Sequence, residues 1–491
     1  MRSGQAYQGI RRARRQAGRL AEISIHEFGL YQFLLSACQE VLASPRQHES
    51  KGSIVTEQNI WEKTQDYALE SVPDANRKSW LSMTVIMIAI GFDIAAFMIG
   101  VALAKGLTLA DAICSALLGS TLLGLLAISC SIVGSRTGLS TTRIAWFAFG
   151  HYGARPIALI SGISLLGWFG VQAGFLGSNL ADIFETFGMH IPAAVFSIGG
   201  GILMTSTAIY GYRSMERLSR WTVPALIFTM GMAITLLFLR NKGLAPQAVV
   251  HPIKFTAATG YVIGGFLSAV SCFPDISRYA RSTRDAALGA FFGFFLGNSL
   301  MLVIAIVLAK YTGEADVVKL FSGLHMAAFA IVVLTLAQWA VNTSNIYSIS
   351  LAFSNVVPEA GIPKAVYAIA AGIVGTALAA AGLADHFLNF LVMMSIVIAP
   401  IGGAYSGYYF LTLRGQLPKT APAVVPITLL AWFVGILFGW LTMRSDPGNG
   451  LFGAGAFTLT TVSPVDGFLI AFLVSGLPSL GFRPKKILES A

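Results

Sequence analysis

The sequence predicts an all-α integral membrane protein of about twelve transmembrane helices, and three observations carry that prediction. Of its 491 residues, 55% are hydrophobic and only 11% charged, against about 25% charged in soluble globular chains, so water cannot be its main solvent. Apolar stretches of about 20 residues, the length that crosses the hydrocarbon core of a bilayer, recur from Leu81 almost to the C-terminus. Short polar joints separate them, and most Lys and Arg residues sit in those joints and in the tails.

Residues 1–80 are of a different material. They are polar, begin with the run Arg11, Arg12, Arg14, Arg15, and hold no stretch of membrane length. A secretory signal places its apolar region soon after its positive charges, whereas the patch Phe28 to Leu35 comes late and is broken by Tyr31 and Gln32. A disordered cytoplasmic tail is expected, with a membrane-surface helix or translated upstream sequence as the alternatives. The spans then read, in order, 82–104, 109–134, 156–184, 190–211, 219–239, 257–276, 286–310, 323–350, 365–383 and 387–412, which form a core over 81–412. Spans 421–442 and 452–477 follow, and a short tail completes the 413–491 segment. With the N-terminus inside, twelve Lys and Arg from Arg136 to Lys419 fall in cytoplasmic loops and seven from Lys105 to Arg444 in outer ones. Orientation by positive charge then puts both termini in the cytoplasm of a cell-membrane protein. The same bias accounts for the net charge of +10 without a nucleic-acid partner; the partner is the lipid bilayer.

Cys38, Cys114, Cys130 and Cys272 stand in no metal-ligand spacing, and three lie within spans. No disulfide framework, metal site or cofactor is expected. No G-x-S-x-G, H-E-x-x-H or Walker loop is present, which argues against a membrane protease, an ATP-driven pump or another enzyme.

Two spans carry a glycine interruption at matching depth. Span 1 reads Ala89, Ile90, Gly91, Phe92, Asp93, and span 6 reads Val262, Ile263, Gly264, Gly265, Phe266. Paired interruptions in corresponding positions point to two structural repeats with the binding site between them, here spans 1–5 and 6–10 as five-helix inverted repeats followed by two further helices. Broken helices leave backbone N–H and C=O groups free at the midplane to bind a polar solute or a cation. A channel would show a repeated pore loop or rings of like charge, and neither is visible.

The chain carries, in order over about Arg77 to Leu411, the motifs Thr137-Gly-Leu-Ser-Thr, Gly167-Trp-Phe-Gly-Val, Gly264-Gly-Phe-Leu-Ser-Ala, Asp275-Ile-Ser-Arg-Tyr, Phe294-Phe-Leu-Gly-Asn-Ser and Pro400-Ile-Gly-Gly. In that order and spacing it resembles the nucleobase:cation symporter family, and within it the bacterial cytosine permeases. The segment Asp66-Tyr-Ala-Leu-Glu-Ser-Val-Pro is also family-like and suggests a functional start near Val55. The resemblance implies alternating access around a central site in a monomer, and a small heterocycle such as cytosine, a purine, hydantoin, allantoin or a pyrimidine vitamin precursor as substrate. Trp168 and Phe266 match the aromatics that face the two sides of a flat ring, leaving its edge to be read by hydrogen bonds. Gln172, four residues after Trp168 and on the same helical face, matches a glutamine of the hydantoin-type relatives. The cytosine permeases place theirs one turn earlier, where this chain has Leu165. Asn342 matches an asparagine near the ligand, able both to donate and to accept. Tyr279, Arg278 and Asp275 are expected at the cytoplasmic end of span 6, in topology and gating; Gly91, Pro400, Gly402 and Gly403 are candidate hinges.

Two departures bear on coupling. In sodium-dependent relatives, backbone carbonyls matching those of Ala89, Phe92 and Ala337 join two hydroxyls around the ion, but the hydroxyl positions here are Ala340 and Val341. A hard cation wants oxygen ligands, so sodium coupling does not carry over. Asp93 stands where the cytosine permeases have an uncharged aromatic. A mid-membrane acid costs about 2.5–3.5 kcal/mol on insertion scales and calls for a role: proton acceptor, counter-ion for an amino-bearing substrate, or structural pair. A desolvated carboxylate favours its neutral form, so proton-coupled import is the leading expectation. A sodium-coupled permease for a cationic heterocycle, or a transceptor of the same fold without flux, stand as alternatives.

Overall fold

The computed structural model describes residues 66–240, 245–250, 252–314, 316–444, 453–460 and 462–481. The expectations for residues 1–65 and for the C-terminal tail beyond 481 lie outside these residues. Among them the chain is helical throughout, with a single isolated bridge between Lys78 and Ala280. Among the described residues five helices are long and apolar enough to cross a membrane, six if one bent pair counts as a span, and five shorter apolar helices accompany them.

The bent pair is α1 (Trp80–Gly91) and α2 (Ile94–Gly106), whose axes differ by 58°. The helix stops where the sequence predicts. Phe92 leaves helical geometry (φ −87°, ψ 65°) and Asp93 is extended (φ −116°, ψ 152°). Helix α3 (Leu109–Thr137) starts at Thr108, whose hydroxyl accepts the Asp111 N–H, and ends on left-handed Gly138, both ordinary end signals. The short α4 (Thr141–Ala148) is followed by α5 (His151–Thr186), α6 (Ala193–Ile209) and α7 (Tyr212–Arg240).

Span 6 corrects the expectation. Helix α8 (Phe255–Ser271) runs unbroken through Gly264 and Gly265, and the chain turns only at Cys272 and Phe273 before the four-residue α9 (Pro274–Ser277). The reason is the proline: Pro274 has no N–H to offer the Val270 carbonyl, so that carbonyl takes the Phe273 N–H at 3.1 Å, as Ala269 takes that of Cys272 at 2.9 Å. Gly265 serves approach instead, since a Cβ there would sit 2.7 Å from Ile99 of α2.

Helix α10 (Thr283–Thr312), the short α11 (Val317–Gly323), α12 (Ala327–Ser354), α13 (Lys364–Ala380), α14 (Phe387–Gly407), α15 (Pro426–Thr442) and α16 (Ser463–Ser475) complete the chain. Small residues let the helices around the bend approach closely, as lipid-embedded packing requires. Gly289, Gly293 and Gly297 form a stripe on α10 against α1; a Cβ on Gly293 would lie 2.6 Å from the Met87 Cβ, and one on Gly297 2.5 Å from the Ile88 carbonyl oxygen. Gly91 faces the same stripe, 2.8 Å from the Asn298 amide by the same measure. The bend is thereby held against α10.

Candidate substrate site

The end of α1 strips its last carbonyls of their helical partners and places Asp93, 2% exposed, in the interior. Beside it lies a cavity of ≈ 40 Å³. Its wall takes Ile90 and Asp93 from the bend, Ser161, Ser164, Leu165, Trp168 and Gln172 from α5, Gly265, Phe266, Ser268 and Ala269 from α8, Cys272 just beyond it, Val341 and Asn345 from α12, and Ile398 from α14. The two expected aromatics, Trp168 and Phe266, thus share one wall. Phe266 is held edge-on by Phe294 of α10, with ring centroids 5.4 Å apart and planes at 69°.

Asp93 and Gln172 are brought together. The Gln172 Nε2–H donates to Asp93 Oδ2 at 2.6 Å, which supplies the partner that a buried acid calls for. The pairing is incomplete: Asp93 Oδ1 and Gln172 Oε1 are buried and have no hydrogen-bond partner. Asp93 also stands at the N-cap of α2, whose end carries free N–H groups and a partial positive charge.

Asn342 is not in the wall. Its Nδ2 donates to the Phe169 carbonyl at 3.1 Å and faces the Met204 sulfur at 3.3 Å, and its Oδ1 accepts from Asn345 Nδ2 at 2.9 Å. It ties α12 to α5 and aims Asn345, which does line the cavity. The physical reason is helical phase: a residue three positions on points about 60° away, enough to exchange a helix contact for the cavity. Ser161, Ser164, Ser268 and Cys272 were also not singled out. The serines of α5 carried a signal, because 161, 164, 168 and 172 follow one another at three- and four-residue steps along one face.

Gly264 is absent from the wall, though its carbonyl accepts from the Ser395 hydroxyl at 3.1 Å. Around the expected cation position, Ala89, Phe92 and Ala337 are buried and Val341 faces the cavity. The nearest hydroxyls along α12 turn their hydrogens back to their own helix, Thr343 donating to the Trp339 carbonyl at 2.7 Å and Ser344 to that of Val341 at 2.6 Å. Pro400 lies within the continuous α14. Gly402 and Gly403 let that helix press on its neighbours: a Cβ on Gly402 would lie 2.5 Å from the Ser271 hydroxyl, and one on Gly403 2.0 Å from the Phe468 carbonyl oxygen.

On the face where the chain enters, a strap over residues 66–78 crosses the helix ends. Arg278 is wholly buried and donates to the carbonyls of Asp66 (2.9 Å) and Tyr67 (2.7 Å) and to the Tyr347 hydroxyl (2.5 Å). It is therefore a structural charge rather than one exposed in a loop. The Asp66 carboxylate accepts from the Tyr279 hydroxyl at 2.6 Å and the Tyr212 N–H at 3.0 Å. Burial alone would push the Asp66 carboxyl up, but Lys364, Arg278 and these two hydrogen bonds outweigh it and hold the group below the ordinary value of 3.8. Asp275 Oδ1 accepts the Thr141 N–H at 2.8 Å, joining α9 to the start of α4.

An apolar helical bundle with a broken helix and an interior cavity of aromatic and hydrogen-bonding groups has the architecture of a solute carrier. The family model described as permease for cytosine/purines, uracil, thiamine, allantoin matches residues 71–463. The cytosine permease of Escherichia coli K12 is 30% identical over 400 residues, covering 80% of this chain and 93% of that protein. The allantoin permease of Bacillus subtilis is 21% identical over 46% of this chain and 53% of its own length. Among solved structures, Mhp1, a nucleobase-cation-symport-1 family transporter in a closed conformation with bromovinylhydantoin bound, superposes with a TM-score of 0.72 at 17% identity, over 86% of this chain and 96% of its own. The chain belongs to the cytosine/purine, uracil, thiamine and allantoin permease family. It is a multi-pass membrane transporter of the nucleobase-permease type, not an enzyme.

Proposed function

We propose that this protein is a proton-coupled symporter that imports a nucleobase or related planar heterocycle across the cell membrane by alternating access. The observation that carries the reading is the shared wall of Trp168 and Phe266 beside the half-paired Asp93 and Gln172. Two aromatic faces suit a flat ring, and unpaired buried oxygens suit its polar edge. The relatives transport cytosine and allantoin by name, which sets the size class. Proton rather than sodium coupling is supported by Ala340 and Val341 at the hydroxyl positions and by an acid at the bend.

The element order supports twelve spans in a five-plus-five arrangement. After each of spans 1 and 6 comes a long helix (29 residues in α3, 30 in α10), a short one (8 in α4, 7 in α11), a second long one and an apolar helix of 17 residues (α6 and α13). Helices α7 and α14 close the two halves, and α15 and α16 follow. Both termini are then cytoplasmic, and the protein works as a monomer. Gly91 and the Pro400-Gly402-Gly403 segment are the flexing points of this cycle.

Counterflow of labelled cytosine, uracil, hydantoin and allantoin in proteoliposomes tests the reading. Exchange of at least one is expected, with accumulation that is independent of sodium and collapses with a protonophore. Binding without exchange would instead indicate a transceptor. The unpaired Asp93 Oδ1 favours one second reading, a counter-ion for a cationic or amino-bearing substrate; in that case Asp93→Asn loses only such substrates.

A further inference from the structure

A cluster of buried charge lies where the strap crosses the helix ends, and it converges on one carboxylate. Arg278 and Lys364 are both wholly buried. Their charged ends lie 5.9 Å and 4.6 Å from the centre of the Tyr347 ring, and both act on the Asp66 carboxylate. Asp66 Oδ1 accepts from the Tyr279 hydroxyl at 2.6 Å and Oδ2 from the Tyr212 N–H at 3.0 Å. Tyr212 is the first residue of the 29-residue α7, so the carboxylate also meets the positive end of that helix. The turn before α7 is shaped for this approach: Gly211 is left-handed, with φ 76°, and a Cβ there would lie 2.5 Å from Asp66 Oδ2.

The other acids nearby are engaged. Asp275 Oδ1 accepts the Thr141 N–H at 2.8 Å, and Glu216 pairs with Arg220 at 2.6 Å and with Lys78 at 3.9 Å. Taking the Asp66 carboxylate away would therefore leave two buried cations, a hydroxyl and a helix N–H facing a space without counter-charge, and a buried charge stripped of its partner is strongly unfavourable. Arg278 would also lose the Asp66 and Tyr67 carbonyls it donates to. The cluster adjoins the substrate cavity: Cys272 and Asn345 line that cavity, and Arg278 and Tyr347 follow them along the same two stretches of chain. Opening the cavity on this face means lifting the strap, and lifting the strap empties the pocket.

We infer that the pocket formed by Arg278, Lys364, Tyr279 and the N-terminus of α7 is a binding site for a small carboxylate anion at the mouth of the carrier. Asp66 fills it as a tethered ligand while the strap is down, and a free carboxylate from the cytoplasm fills it when the strap lifts. The two oxygens of the bound group are addressed by different donors, which suits a planar carboxylate better than a single-atom halide. An anion that binds only the lifted state shifts the population toward it, so cytoplasmic carboxylate favours the open mouth. The step from pocket to open mouth rests on the alternating-access reading above; the pocket itself does not.

The test is thermal unfolding of the purified full chain in detergent with added sodium formate, the ionic strength being held with sodium isethionate, a bulkier sulfonate. Asp66→Ala should melt below the wild type, and formate should raise its melting temperature saturably, by about 3 °C at concentrations well above its Kd. The wild type, its pocket already filled, should move far less. Adding Arg278→Met to Asp66→Ala should abolish the gain, and a gain that survives it overturns the inference. So does a formate shift that is absent from Asp66→Ala or equal in the wild type. Each of these results leaves the transport reading untouched, because no transport is measured. Should Asp66→Ala fail to fold, the wild type decides alone. Formate should then raise alkylation of Cys272, quantified on its own peptide, at least about twofold over isethionate at equal ionic strength, the population shift expected of a ligand for the lifted state, and equal rates overturn the inference.

Discussion

Asn342 and Asn345 lie three residues apart in one helix, and their substitution should separate holding the site from touching the substrate. Asn345→Ala removes a cavity-lining amide and leaves the Phe169 carbonyl and the Met204 sulfur still facing Asn342. Its expected cost is one hydrogen bond to the ligand, about 0.5–1.5 kcal/mol, or about 2- to 12-fold in Kd, together with a lowered melting temperature, because the buried Asn342 Oδ1 loses its 2.9 Å donor. Asn342→Ala strips the Phe169 carbonyl of its 3.1 Å donor and Asn345 of its 2.9 Å acceptor. The Phe169 carbonyl keeps its helical partner within α5, so the cost is the lost inter-helix hydrogen bond, about 0.5–1.5 kcal/mol; the folded protein is destabilised, and affinity falls only because Asn345 is no longer aimed. Thermal unfolding in detergent alongside ligand binding reads both quantities. An Asn342→Ala protein that melts with the wild type yet loses binding more severely than Asn345→Ala would refute this assignment and return Asn342 to the ligand.

Trp168→Ala and Phe266→Ala should each weaken uptake affinity without loss of membrane-inserted protein. Stacking worth about 1–3 kcal/mol per ring corresponds to about 5- to 150-fold in Kd, and near-normal affinity in either variant would remove that ring from the site. Gly297→Leu should prevent folding, because its first added atom would lie 2.5 Å from the Ile88 carbonyl; a well-behaved monodisperse variant would argue against the close α1–α10 crossing. Arg278→Met should free the 66–78 strap, since charged hydrogen bonds contribute about 1.5–3 kcal/mol each. Faster alkylation of Cys272 from the cytoplasmic side reports the opening, and unchanged labelling would count against a latch. The strap should not be the source of pH dependence. The Asp66 carboxyl is depressed in the folded state, so its stabilisation is present above the unfolded value and is lost only as pH falls through the lower folded value. Asp66→Asn should therefore lower transport without moving the pH midpoint between 5.5 and 8.5, and a moved midpoint would refute this.

The membrane class and the break in span 1 were legible because they are local. Hydropathy over twenty residues, and a glycine and an acid inside an apolar run, depend on no distant partner. The shared face of Trp168 and Gln172 was legible from their four-residue spacing, and the fold sets both with Phe266 around one cavity. The break in span 6 was misplaced because a pair of glycines looks like an interruption. Whether it is one depends on the hydrogen-bond ladder, and Pro274, rather than Gly264 or Gly265, removes an amide from it.

Only the tertiary structure decided which oxygens are left over. From the sequence, Asp93 and Gln172 are 79 positions apart in two helices, and nothing in either stretch says that one amide proton joins them and that one oxygen of each stays unpaired. The same holds for Asn342 and Asn345, whose roles are set by the helix that faces each of them, and for Arg278, which reads as a loop charge until the strap is seen to enclose it. Composition and periodicity determine which residues leave water, because transfer to lipid is a property of each segment taken alone. Which buried polar atoms find partners is a property of the packed pairs, and only the fold brings those pairs together.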